Sequence, residues 1–489
     1  MTEKQYKWLC KHYDKLLGGK IDLSRMAIPL INVVREHPNF LHKYQILFDA
    51  NFLFFLYLVT RRIKNFVWWC YFILKVSIKK RFNDLNKPDK VDYLFVSHLI
   101  NEKHLASDID FYYGDLLIQL VNRGYKVTVL LIRHTPKTKK SLKSFHKNNI
   151  IYYFVQNSLD LSRELLIHKE LRKESGVLKS LKDGPLMLNQ LASVDALSSA
   201  AHFNFRLSYQ LTSMLEMLTP KVLVTTYEGH SWEKIAFYSA RKLKKDIFCI
   251  GYQHATLFRL QHGVRTLDDS RYNPDLILSS GKASERQLLN RSDIRVKVGV
   301  LGSYRSHLNL NCRTEPFHSL ITTCLVIPEG TTKESDYLFN FALNCALQFS
   351  DVKFILRLHP VVDFRDLSKR NKKLKKLPSN VALSSRPIED DAREATIVLY
   401  RGSSAVVQAC SFGAMPVYLE NIGEISIDPF YDFNLVKIKI RSVEDFAHTL
   451  RRENAPSISQ KKHLIEYCHS FFTSSDPDAI DIKNIFLEK

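Results

Sequence analysis

Short apolar runs alternate with stretches of helical periodicity along most of the chain. Val91–Leu99 (VDYLFVSHL) is strand-like, YGDLLIQLVNRGY repeats its apolar positions at helical spacing, and Tyr125–Ile132 is again strand-like. That order is a βαβ unit opening a parallel sheet. Ile150–Val155 adds a strand, a long helical region runs from about Pro185 to Leu218, and Lys221–Gly229 (KVLVTTYEG) leads into the helix HSWEKIAFYSARKL. Asp246–Gln253, Pro274–Ser279 and Val296–Arg305 complete a first half. The rhythm restarts with Thr322–Gly330, the helix ESDYLFNFALNCALQF, Val352–Pro360, Asn380–Ser385 and the strand, helix and strand of Ala395–Leu419. The pattern predicts an α/β protein with two doubly wound halves. One spans residues 89–310 and the other 311–442, after a helical segment 1–88 and before a helical tail 443–489 that packs back across both.

The first segment breaks this rhythm. Phe52–Thr60 and Phe66–Val76 are apolar and aromatic, separated by Arg61, Arg62 and Lys64 and followed by Lys79, Lys80 and Arg81. Each run is short of the roughly 20 residues a spanning helix needs. Cations bracketing Phe66, Trp68, Trp69 and Tyr71 suit a pair of helices lying in the interface of an anionic membrane; two core helices are the alternative. The formal charge of +21 draws the chain to polyanions. With no zinc-ligand spacing, helix-turn-helix pattern or aromatic-basic stretch, the expected polyanion is a membrane surface and not a nucleic acid. The eight cysteines form no CxxC pair and several sit in apolar runs, and the N-terminus MTEKQYKWLCKHYDK is charged. A cytoplasmic location on the inner face of the membrane is expected.

Ligands of open parallel sheets bind beyond the carboxyl ends of the strands. Four such ends carry polar groups: Glu228 with Gly229, Gln253 with His254, Arg357 with His359, and Gly402 with Ser403 and Ser404. A carboxylate at a strand end, as Glu228 is, can take a proton from a hydroxyl or cap the helix that follows. Alternation turns Arg357 and His359 to one side, toward a common anionic ligand or, for the histidine, toward loop carbonyls. Ser403 and Ser404 open a helix, which makes either an anion site or a simple N-cap. Gln253 and His254 neighbour Glu228 and would orient substrate. The adjacent acids Asp268–Asp269 and Asp390–Asp391 read as solvated surface, and no metal or other cofactor is called for. Neither G-x-G-x-x-G nor a P-loop is present, which points away from dinucleotide oxidoreductases and P-loop enzymes.

The order Glu228-Gly229, His359-Pro360, Ser403-Ser404 resembles bacterial GT-B glycosyltransferases that use CMP-activated sugars, including sialyltransferases and Kdo transferases of surface polysaccharide assembly. The likeness covers Val91–Leu419 in layout and those three motifs in detail. It implies two Rossmann-like domains facing across a cleft and inverting, metal-independent transfer of an ulosonic acid such as Kdo or sialic acid. The donor would be a CMP-sugar, and the acceptor a lipid-linked or oligosaccharide glycan of lipopolysaccharide O-antigen or capsule. It also implies roles: Glu228 as general base, His359 assisting the departing phosphate, and Ser403 and Ser404 holding it; Arg357 and Gly402, from their places at the same strand ends, are expected around that phosphate too. Tyr227 stands where sialyltransferases carry an acid, and Gln408 stands where many UDP- or GDP-sugar enzymes carry a ribose-binding glutamate. A CDP-glycerol-type glycerophosphotransferase and a catalytically silent glycan-binding subunit are the alternatives.

Overall fold

The computed structural model describes residues 1–32, 41, 44–48, 51–78, 90–134, 144–182, 184–243, 246–305, 322–360, 362–451 and 456–487. The strand-like runs pair into two sheets. The first contains β1 (Tyr93–Leu99), β2 (Val127–Arg133), β3 (Ser144–Lys147), β4 (Ile150–Phe154), β5 (Val222–Thr226), β6 (Phe248–Gln253), β7 (Leu276–Ser279) and β8 (Lys297–Val300). Its order is β3-β4-β2-β1-β5-β6-β7-β8, parallel throughout except for the short edge strand β3. The second contains β9 (Thr323–Ile327), β10 (Lys353–Arg357), β11 (Val381–Ser384), β12 (Ile397–Tyr400), β13 (Met415–Leu419) and β14 (Ile438–Ile440), in the order β11-β10-β9-β12-β13-β14. Central strands such as β5, β9 and β12 are buried along their whole length, as strands covered by helices on both faces must be. This is an α/β protein built on two parallel Rossmann-like sheets, the fold class expected from the pattern.

Strand order reverses between β1 and β5 in the first sheet and between β9 and β12 in the second. At these two switch points the loops on either side diverge to opposite faces and leave a crevice. The site is built around them.

Several elements differ from expectation. The helical region 185–218 is two helices, Leu186–Asp195 and Ser199–Leu218, because Ser198 stops one and caps the next by accepting the Ala201 N–H at 3.2 Å. The two apolar runs near the N-terminus are one unbroken helix, Asn51–Ile78. Its Phe54 and Leu58 join the helices Glu3–Leu16, Leu161–Ser180 and Leu186–Asp195 in a helical core on the first half. Lys79, Lys80, Arg81 and the boundaries set at 88 and 310 lie outside the described residues.

Beyond the helix Ile458–His469 the chain returns to the first half. Phe471 and Phe472 are buried in the second core, whereas Ile480 and Ile482 are buried in the first. Between them Thr473 N–H donates to Ser280 O at 3.1 Å, Ser303 N–H to Thr473 O at 2.8 Å, and Asp476 N–H to Leu301 O at 2.7 Å. Such an approach of backbone to backbone leaves no room for side chains. A Cβ on Gly281 would lie 2.4 Å from Ser470 O, and one on Gly302 2.1 Å from Ser474 O.

Candidate active site

At the first switch point, β1 ends in His98 and β5 runs into Tyr227, Glu228 and Gly229. The turn after β5 is unusually tight. Gly229 has φ +89°, and a Cβ there would sit 2.0 Å from the Gly263 carbonyl carbon, so only glycine fits. The helix Ser231–Lys242 then begins, and its exposed N–H groups need an acceptor. Glu233 supplies it. Its fully buried carboxylate accepts the N–H of Glu228 at 2.9 Å, of Gly229 at 2.7 Å and of His230 at 2.8 Å. Burial outweighs those bonds and pushes the Glu233 carboxyl up to about 7. The capping task open to Glu228 is thus performed by Glu233, a residue the sequence reading passed over. An E three residues after the N-cap was the available signal.

Glu228 is half-buried, and the His230 Nε2 lies 3.3 Å from its carboxylate. Around it stand three more imidazoles from neighbouring strand ends. His98 Nδ1 is 2.8 Å from His134 Nε2, so the two rings share one proton, and His98 Nε2 is 3.4 Å from Thr226 Oγ1. Trp232 stands edge-on to His98, and Tyr112 packs edge-on against His254. Burial first, then the neighbouring His134, His230 and His254, holds His98 down at about 3, with Glu228 pulling weakly the other way. Burial and His230 lower His134 as well. The cluster sets a carboxylate among imidazoles, of which His98 and His134 are held below the usual histidine range, and it can accept hydrogen bonds from hydroxyls and take one proton. His98, His134 and His230 had been missed because each is a lone histidine at the end of a different strand. Gln253 does not point into this group: it is fully buried, and its Nε2 donates to Ala255 O, which fixes the loop that carries His254.

At the second switch point β9 is followed by Glu329 and Gly330, and β12 by Arg401, Gly402, Ser403 and Ser404. Gly402 has φ +61°, and a Cβ on it would come within 3.0 Å of the Glu329 carboxylate. His359, beyond β10, lies over Gly330, whose added Cβ would be 2.9 Å from its ring. Glu329, His359 and the Gly402 turn therefore form one cluster, of which Glu329 was not foreseen. Ser403 Oγ accepts the Ala405 N–H at 3.4 Å, while Ser404 makes no side-chain cap to the helix Ala405–Ser411. Arg401 is buried beneath, donating to Glu334 at 2.9 Å and to Glu424 at 2.9 Å.

Arg357 is not directed with His359 to a shared ligand. Its Nη1 donates to Arg386 O at 2.6 Å and to Asp391 at 2.9 Å. Asp391 is fully buried and also accepts from Arg386 at 2.8 Å, so it is a structural carboxylate and not solvated surface. Asp269 is likewise buried, accepting the Ile21 N–H at 2.9 Å and pairing with Arg271 at 2.6 Å.

Arg305, which follows β8, lies 5.6 Å from the Phe472 ring centre and within electrostatic range of His359. Burial and the Arg305 charge together lower the His359 imidazole.

No protein-family model matches the chain, and no curated relative is found. Among solved structures, the chain is similar to the calicheamicin glycosyltransferase CalG4, at 13% identity and a TM-score of 0.45, over 82% of this chain and 98% of that one. The glycosyltransferase SnogD from Streptomyces nogalater aligns at 11% identity and a TM-score of 0.45, over 82% of this chain and 100% of that one. Sucrose-phosphate synthase from Thermosynechococcus elongatus aligns at 10% identity and a TM-score of 0.44, over 81% and 98%. Likenesses this shallow leave the chemistry to be read from the residues themselves.

Proposed function

We propose that the protein is a GT-B glycosyltransferase that moves a sugar from a nucleotide donor, a CMP-sugar, to a hydroxyl of a glycan acceptor. The acceptor lies against the histidine cluster of the first half, and the donor phosphate lies at the Glu329–His359–Gly402 cluster of the second. Glu228 takes the proton of the attacking hydroxyl as the new glycosidic bond forms at the anomeric carbon. The bond from that carbon to the phosphate oxygen breaks on the opposite face, and CMP leaves with the electron pair. Hydrogen bonds from His359, Ser403 and Ser404 stabilise the charge that develops on the phosphate, with Arg305 contributing from across the cleft. The configuration at the anomeric carbon inverts.

What supports this reading is one arrangement: a carboxylate excused from helix capping at the switch point of one doubly wound sheet, and an imidazole beside a glycine-serine turn, within electrostatic range of Arg305 of the first half, at the switch point of the other. Arg357 is removed from the phosphate site, since Asp391 and the Arg386 carbonyl occupy it. The test is nucleotide release from purified protein offered CMP-Kdo, CMP-sialic acid or CDP-glycerol with a glycan primer. The reading requires release with a CMP-sugar, and a loss of roughly 100-fold or more in both Glu228→Gln and His359→Ala. Release only from CDP-glycerol replaces it with glycerophosphate transfer. Full activity of either variant removes that residue from the mechanism.

A further inference from the structure

We propose that the helix Asn51–Ile78 is an in-plane membrane anchor, laying the face turned away from the protein on an anionic lipid leaflet. This stands independently of the chemistry assigned to the cleft. At 3.6 residues per turn, Phe54, Leu58, Asn65, Phe72 and Val76 fall on one stripe. That stripe holds the helix to the protein. Phe54 and Leu58 enter the helical core, Asn65 Nδ2 donates to Val194 O at 2.9 Å, and the Arg206 guanidinium lies 4.8 Å from the Phe72 ring centre. Beside the stripe, Trp69 stacks on His168 at 4.1 Å.

The opposite stripe holds Phe52, Leu56, Ile63, Val67, Cys70 and Leu74, and it is uncovered: Phe52 is 74% exposed and Val67 60% exposed. Between the two stripes stand Arg62, Lys64 and Lys75, while Arg61 lies on the protein side, 3.7 Å from Asp195, and the helix contains no acidic residue. A shallow groove of about 500 Å³, lined by Thr60, Ile63, Lys64, Val67, Trp68 and Tyr71, opens on this side. Apolar side chains below, cations at the flanks and protein above match the layering of acyl chains, phosphate headgroups and water. A second copy of the chain is a poorer occupant, because pairing two such faces would bring six cations, Arg62, Lys64 and Lys75 of each copy, together with no helix carboxylate between them. Among the described residues no helix is long and apolar enough to cross a membrane.

The experiment uses the full chain and vesicles of phosphatidylcholine with or without phosphatidylglycerol. Co-sedimentation should be at least tenfold stronger with phosphatidylglycerol and should weaken at high salt. Replacing Ile63 and Val67 together by Glu should lower it at least tenfold while leaving the melting temperature within a few degrees. As a second readout, an environment-sensitive dye on Cys70, which is exposed, should brighten and shift to the blue on those vesicles. The proposal fails if the double variant binds as the parent does, if the parent binds neither vesicle, or if the dye stays in water while the protein binds. It also fails if a lipid-free dimer forms and the double variant dissolves it, which would make a second copy the occupant.

Discussion

Glu233 shows how a buried group that contacts no substrate can define a site. Three consecutive N–H groups converge on its carboxylate, and the turn bearing Glu228 has its shape because they do. Replacing Glu233 by Ala orphans those donors in a dry setting, so a loss of about 3 kcal/mol is expected from urea denaturation, at about 1–3 kcal/mol per buried unpaired group with partial relaxation. Glu233→Gln keeps an acceptor and should cost far less. The two also separate by pH. Because burial raises the folded carboxyl from 4.5 to about 7, its contribution is complete below 4.5 and is lost as pH rises through about 7. The urea midpoint of the parent should therefore fall between pH 5 and 8, and that of Glu233→Gln should stay flatter. A second pair tells structural from catalytic arginines. Arg357→Ala leaves Asp391 with Arg386 and the Ser384 hydroxyl, which should cost about 2 kcal/mol, less than the about 3–5 kcal/mol of a fully broken buried pair. The variant should show that loss in its melting temperature and little change in donor KM. Alternation along β10 had paired Arg357 with His359; what it could not reveal is that register sets Arg357 beside Ser384 of β11, within reach of Asp391.

At the scale of elements, sequence and structure agree where local signals are dense. Buried parallel strands announce themselves as uninterrupted apolar runs, and β1, β5, β6, β9 and β10 fall where those runs do. β3 and β14 are short edge strands with mixed composition, SFHK and IKI, and carry no such signal. The helix Asn51–Ile78 was divided by its own cations, because a linear reading cannot see that Arg61 turns toward Asp195 and that Arg62 and Lys64 lie on its flanks while the apolar face continues past them. Its seat on the protein is a histidine pair. Ser198 O can only accept, so His202 Nδ1 carries the proton at 2.9 Å, and its bare Nε2 accepts from His168 Nδ1 at 3.1 Å. Burial, with His168 and Arg206 adding to it, depresses His202 to about 3. Trp68 and Trp69 complete its surroundings. Since the folded value lies below the usual 6.5, stability from this seat is present above 6.5 and is lost as pH falls toward 3. Tryptophan emission should report loosening of Trp68 and Trp69 over that acid range, and His202→Gln should shrink the change. An unchanged acid limb would assign it to other groups.

Across the whole molecule, the two halves are joined by more than the linker between β8 and β9. The segment from Ser470 to Asp476 is hydrogen-bonded to the loops after β7 and β8, with Phe471 buried on one side and Ile480 on the other. Tyr93 fastens the far end, its hydroxyl donating to Ile480 O at 2.8 Å and accepting the Ile482 N–H at 3.0 Å. Further contacts cross the junction, among them Gln287 donating to Asp432 at 2.9 Å, Arg286 3.7 Å from the same carboxylate, and Ile425, from the loop after β13, buried in the helical core of the first half. The backbone strap is the contact that mutation can address selectively, because Gly281 and Gly302 admit it only by lacking a Cβ. Gly302 also has φ +84°, so a side chain there is strained as well as crowded. Gly302→Val should displace residues 473–476 without touching either sheet. If the strap couples the halves, calorimetry will resolve the parent's single transition into two, and CMP will raise only the one that belongs to the second half. If the variant still melts in one step at a lower temperature, coupling resides instead in the contacts of Ile425 and Asp432, and the strap contributes stability alone.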